Sequence, residues 1–313
     1  MTAVASPTRR REAGTAPPRR RRTGLRAVPP VAWAFLLIPA LVEVGMVFWP
    51  AVNSFYLSLT EWNGLGAARP VGLDNFRALF SDDIFLGALK NNLIWAVGFG
   101  GLSVLGGLAL AVALNRPRRG VGLYRSAIYL PMVFSLAVTG LFWRVQYQPD
   151  GTINTLLGAV GLESVERQWL ANPDTALYAV LIAAVWRQVG YVMVLYLAGL
   201  KSTDPSLDDA GAVDGAGAWQ RFRYITWPQL RGVNTVVFAV TVIDSLRTFD
   251  IVWAMTQGGP YHSSELLSTY MFQQGFTFLN LGYASAIAVV IFALALIFII
   301  TYLVRTSRDE VEA

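Results

Sequence analysis

The sequence predicts an all-α polytopic membrane protein with six transmembrane helices and both termini in the cytoplasm. Three observations carry that prediction. The 313 residues are 54% hydrophobic and only 14% charged, whereas an ordinary soluble domain is about 25% charged. Apolar runs near the length of about 20 residues that crosses a hydrocarbon core recur at 31–57, 92–114, 127–147, 176–199, 233–255 and 281–304. Counted by side, lysine and arginine divide 18 to five, and the richer side of such a protein is cytoplasmic.

Residues 1–30 come first and belong to no span. Eight arginines (Arg9, Arg10, Arg11, Arg19, Arg20, Arg21, Arg22, Arg26) stand among proline, alanine and threonine, opposed by Glu12. Such a segment buries too little apolar surface to order itself. It reads as a disordered cytoplasmic tail held near anionic lipid, not as a nucleic-acid arm. The run that follows is too long for a cleaved signal peptide, and no A-x-A-like site closes it.

The first span and its external loop occupy 31–90, and a membrane core fills 91–304, followed by a short cytoplasmic end, 305–313. Arg116, Arg118, Arg119 and Arg125 place the 115–126 loop inside, as Lys201, Arg221, Arg223 and Arg231 do for 200–232, and Arg305 and Arg308 for the end. Arg69, Arg77, Lys90, Arg144 and Arg167 lie on the other side, with the tryptophan-containing loops 58–91, 148–175 and 256–280. Gly100, Ser103 and Gly107 share a helical face, and Ala284 with Ala288 repeats the small-xxx-small spacing of packed spans.

Several chemistries are excluded. With no cysteine and one histidine, His262, the chain has neither thiolate nor multi-histidine metal sites, and no metal is expected. The two lysines, Lys90 and Lys201, each follow leucine, so there is no Gly-Lys-Ser/Thr phosphate loop. Neither His-Glu-x-x-His nor Gly-x-Ser-x-Gly occurs. An intramembrane enzyme is therefore not the expected reading.

One cytoplasmic loop does not suit its surroundings. "PSLDDAGAVDGAGAWQRFRYITWP", 205–228, is polar and lies between two apolar runs. Ser206 is placed to cap a helix, with Asp209 at the capping-box position. Leu207, Ala210 and Val213 then share one face. Gly215 supplies a turn, a second helix carries Trp219 and Phe222, and Pro228 helps to end it. This helix-turn-helix is either a connector in the lipid headgroups anchored by Trp219 and Trp227, or a docking element for a groove on a partner.

The residues tilt that choice. "LDDAGAVDGAGAWQRFRYITWPQL" resembles the coupling motif of binding-protein-dependent ABC importer permeases, which reads Glu-Ala-Ala, two residues, Asp-Gly-Ala, and later a proline. Asp209, Ala210 and Gly211 stand at Glu-Ala-Ala; Asp214, Gly215, Ala216 and Pro228 match. Aspartate for glutamate and glycine for the second alanine are departures. "LIPALVEVGMVFWPAVNSFYLSLTEWNG", "WRQVGYVMVLYLAGL", "SLRTFDIVWAMTQGGP" and "LGYASAIAVV" are similar, in the same order, to segments of the sugar-permease branch.

The resemblance implies that the 201–232 loop, through Leu207 and Phe222 as well as the motif residues, sits on a cytoplasmic ABC ATPase dimer. ATP and Mg would be used there, and this chain would bind no cofactor. It also implies a second, related permease chain, an extracytoplasmic solute-binding protein, and a multi-pass place in the cell membrane. Half of a path for a sugar, oligosaccharide or polyol would run through the core.

Glu43, Arg187, Asp244, Arg247 and Asp250 fall within predicted spans, where an ion costs about 2.5–3.5 kcal/mol. The spacing of Asp244, Arg247 and Asp250 allows the arginine to bridge either carboxylate; structural pairing, lining a solute path and gating all fit. Tyr191, Phe249 and Trp253 offer rings for a sugar face or for core packing. The competing reading, a proton-coupled secondary transporter, would use Glu43 and Asp250 as proton carriers, and the coupling loop argues against it.

Overall fold

The computed structural model describes residues 30–117, 119–165 and 167–311, so the arginine-rich segment 1–29 lies outside the described residues. Two units divide between Ala51 and Val52. In the first, α1 (Pro30–Glu43) contains Pro39 and passes into a π turn, Val44–Phe48. The chain continues as α2 (Trp49–Ser58). Phe35–Ser58 is long and apolar enough to cross a membrane, and Glu43 on it is exposed.

The second unit begins within α2, at Val52, and continues with an antiparallel hairpin, β1 (Thr60–Glu61) and β2 (Arg69–Pro70). A short α3 (Asp74–Leu79) leads to α4 (Asp83–Leu114), whose first turn is capped by Asp82 accepting from Ile84 N at 2.9 Å. A short α7 (Thr152–Ala159) precedes the long α8 (Pro173–Lys201), which is capped by Asn172, with proline at its first position. α4 and α8 pack closely. A β-carbon on Gly107 would lie 2.5 Å from Val192 Cγ1 and 2.9 Å from Met193 N, so the small residue is what lets the two backbones approach.

Buried side chains gather in three groups along this pair. Trp95 and Phe99 of α4 meet Leu177, Val180, Leu181 and Ile251. Nearer the other end, Val104, Leu108, Met193, Tyr196 and Leu200 meet Leu230 and Val237. The third group joins Leu79 and Phe85 to Leu267, Tyr270 and Ile287. α14 (Leu267–Phe272) and the last helix, α15 (Leu281–Val311), supply its far side.

Among the described residues, four helices are long and apolar enough to span: Phe35–Ser58, Asp83–Leu114, Pro173–Lys201 and Leu281–Tyr302. The other two expected spans are interrupted. The run 127–147 is a pair of segments, Val121–Val133 and Leu136–Gln146, bent by 102°. Here α5 (Val121–Tyr129) tightens into a 3-10 turn, Leu130–Val133, containing Pro131; then Phe134 and Ser135 are extended, with ψ of 144° and 155°. Ser135 caps α6 (Leu136–Gln146), accepting from Val138 N at 3.3 Å.

The run 233–255 also breaks. α12 (Arg231–Leu246) has 16 residues, about 24 Å at 1.5 Å per residue and short of a core of about 30 Å. It stops at Arg247 (φ −95°, ψ 2°), and α13 (Asp250–Met255) begins after Phe249 (φ −133°). Thr248 Oγ1 donates to Asp244 O at 2.9 Å and receives Trp95 Nε1 at 3.1 Å. Residues beside both breaks, Met132 and Leu136 at one and Arg247 and Thr248 at the other, line the same cavity.

Candidate functional site

The polar insert folds as two helices closed into an elbow. α9 (Pro205–Val213) is capped by Asp204, which accepts from Ser206 N at 2.9 Å. Ser206 was the expected cap; the aspartate two residues earlier takes the role because Pro205 already occupies the first helical position. The hydrogen bonds from Ser206 hold the Asp204 carboxyl below the usual carboxylate range.

α9 ends as the sequence predicts, on Gly215 with φ +80°. Ala216 N donates to Gly211 O at 2.9 Å and Gly215 N to Ala212 O at 3.2 Å, the paired bonds of a Schellman termination. The chain then reverses. Gln220 Oε1 accepts from Gly217 N at 2.8 Å to start α10 (Ala218–Arg221). A π turn, Phe222–Thr226, leads to α11 (Trp227–Gln229), so the second arm ends one residue after Pro228.

Three contacts hold the arms together. Arg221 Nη1 stands 3.4 Å from Asp208 Oδ2. Gly211 is buried, and a β-carbon there would meet Ile225 Cδ1 at 2.5 Å. Gln229 Oε1 accepts from Asp204 N at 2.9 Å, tying the end of the elbow to its beginning. Phe222 and Trp227 pack into the buried group of Leu197, Leu200 and Leu230, so Phe222 anchors the base, and Pro228 beside it is half-buried. Leu207, Asp209, Ala210 and Asp214 are exposed, and so are Val213 (88%) and Trp219 (72%).

The second candidate site is a cavity of about 340 Å³ lined by Arg187, Gln188, Asp244, Arg247, Thr248 and Asp250 and otherwise by apolar side chains such as Phe99 and Leu136. Four of the five predicted intramembrane ions thus come together. Gln188 Nε2 donates to Asp244 Oδ2 at 3.3 Å. Arg187 Nε donates to Phe134 O at 3.0 Å, and Nη2 to Met132 O at 3.4 Å.

The expected Arg247 bridge is absent among the described residues. The helix ends at Arg247, so Asp244 and Asp250 belong to different helices and the three-residue spacing no longer defines one face. Phe249 and Trp253 do not line this cavity. They stack on each other (5.6 Å, 17°) and on Phe272, and Phe249 borders a separate apolar cavity. Tyr191 is half-buried and lies outside the polar cavity's lining.

One polar cluster was not anticipated from the sequence. Glu265 is fully buried, 2.9 Å from His262 Nδ1 and 3.0 Å from Gln273 Nε2. A Glu three residues after the lone His was the available hint. Asn91 Nδ2 donates to the carbonyls of Ser263 and Glu265 at 3.0 Å, pinning this loop to α4.

The elbow and the cavity are joined by rigid helix. Gln188 lies 13 residues before Lys201 on α8, and Asp244 lies 13 residues after Arg231 on α12; each stretch is about 20 Å of helix. Apolar helices thus surround one cavity, and a capped elbow bridges two of them. The family described as binding-protein-dependent transport system inner membrane component matches residues 103–309, and the chain belongs to it.

The relatives agree. A protein of Pyrococcus horikoshii described as "Probable ABC transporter permease protein" is 35% identical over 290 residues, covering 91% of this chain and 99% of that one. The lactose transport system permease protein of Rhizobium radiobacter is 34% identical over 256 residues, 80% of this chain and 85% of its own. Among solved structures, a bacterial ABC transporter that imports the acidic polysaccharide alginate superposes with a TM-score of 0.76 at 22% identity, over 89% of this chain and 95% of that one. That likeness carries the fold.

Proposed function

We propose that this chain is the permease subunit of an ATP-driven importer and forms half of the passage for a sugar, oligosaccharide or related polyol. The observation that carries the reading is the elbow. Its arms are locked to each other and to the ends of α8 and α12, yet Leu207, Val213 and Trp219 point apolar surface outward, as a helix bound for a groove does. A cytoplasmic ABC ATPase dimer, using ATP and Mg, would receive it.

Movement of the elbow would then reach the cavity through α8 and α12. Two arginines and two aspartates line that cavity, a balanced set of donors and acceptors that suits an uncharged polyhydroxy solute. The sugar class is supported by the lactose permease relative. In this reading the bent pair and α12 with α13 each count as one span, giving six, with both termini and the elbow cytoplasmic. A second, related permease completes the passage, and a solute-binding protein delivers cargo from outside.

The chain itself would hydrolyse nothing. The test is uptake of a labelled panel of mono- and oligosaccharides by cells expressing the transporter. Uptake of one class should persist when a protonophore collapses the proton gradient and stop when ATP is depleted. The reverse pattern would mark a proton-coupled carrier.

A further inference from the structure

The broken third span leaves two backbone carbonyls without helical partners beside the polar cavity. Extended ψ angles at Phe134 and Ser135 turn Phe134 O out of the ladder, and Val138 N, its i+4 donor, goes to Ser135 Oγ instead. Met132 O lies in the same turn. Non-helical backbone at membrane depth survives only where protein or water satisfies it. Here both carbonyls go to one side chain, Arg187, through Nε at 3.0 Å and Nη2 at 3.4 Å.

The register of α8 makes this reach possible. A β-carbon on Gly190 would lie 2.2 Å from Ile128 O, so the two backbones touch there, and Arg187 meets the break three residues earlier. Met132, Arg187 and Ala184 all line the polar cavity. The guanidinium is rigid and forked, with several donors in one plane, and a fork is what two carbonyls separated by a turn require.

We propose that Arg187 is a positioning residue: it replaces the hydrogen bonds lost at the break and thereby fixes the wall, and so the aperture, of the polar cavity. That the cavity is part of a solute passage rests on the importer reading; the clamp does not.

The test uses the full chain in lipid nanodiscs. In Arg187→Met, hydrogen exchange at residues 131–138 should accelerate tenfold or more while 92–110 of α4 stays protected. Arg187→Lys, with a compact charge that serves one carbonyl, should fall between. Gly190→Ala, which forces α5 off α8 without touching the cavity charges, should reproduce the acceleration. The native chain has no cysteine, so Ala184→Cys serves as the sole thiol, labelled with a small and a bulky methanethiosulfonate.

The ratio of the two labelling rates should change tenfold or more in both Arg187→Met and Gly190→Ala, whereas general loosening would raise both rates alike. Unchanged exchange at 131–138 in Arg187→Met overturns the clamp. Faster exchange with an unchanged labelling ratio overturns its role in the aperture. Neither result bears on ATP-driven uptake, and failure of that uptake would leave the clamp standing.

Discussion

Ile225 Cδ1 stands 2.5 Å from where a β-carbon on Gly211 would lie. The glycine is therefore matched to an isoleucine on the facing arm of the elbow. Gly211→Ala should be close to neutral in uptake, because the atom it meets is the end of a movable side chain and alanine favours the helix by about 1 kcal/mol. Gly211→Leu should wedge the arms apart and cut uptake at least tenfold with the protein still in the membrane. Adding Ile225→Ala should restore much of the loss.

Gly215 lies in open space, but at φ +80°. A β-branched residue there would cost roughly 1–2 kcal/mol in backbone strain. Gly215→Val should abolish copurification of the ATPase while circular dichroism and nanodisc yield match the wild type.

Glu265 sits buried between His262 and Gln273. Glu265→Ala should lower the unfolding temperature, since the amide and imidazole lose a shared acceptor, an effect of about 1–3 kcal/mol. Glu265→Gln, which keeps an acceptor oxygen, should lose less. Thermal unfolding in detergent at neutral pH compares them.

Asp82 titrates with a definite sign. Burial pushes its carboxyl up, but hydrogen bonds from Tyr270, Tyr283 and the α4 backbone outweigh this, and its pKa is lowered. The stabilisation is present above the unfolded value of about 3.9 and is lost as pH falls through the lower folded value. Unfolding temperature measured down to pH 3 should fall more steeply in the wild type than in Asp82→Ala, and the variant should already be less stable at pH 7.

The comparison with sequence follows from which interactions are local. Spans with even apolar runs, α4, α8 and α15, were legible because burial in lipid depends on composition over about 20 residues. The elbow's turn was legible because Gly215, unlike Asp214 and Ala216 on either side, adopts a positive φ cheaply. The break at Phe134 was not, since apolar content continues through it, and at Arg247 the polar run 244–250 was read as one helical face; the compensating partners, Arg187 and Trp95, lie far along the chain. For the same reason the charges were found but their pairing was not. Phe249 and Trp253 stack on each other and on Phe272, a choice between packing and lining that depth along a span leaves open.

The central claim is that a cytoplasmic ATPase grips the elbow. Val213, more exposed than Leu207 on α9's apolar face, offers the direct measurement: Val213→Cys, the only thiol in the chain, carrying a photoactivatable crosslinker in intact membranes. The account predicts a single major adduct with an ABC ATPase, with a yield that changes on adding a non-hydrolysable ATP analogue. Adducts with lipid alone, unchanged by nucleotide, would contradict it.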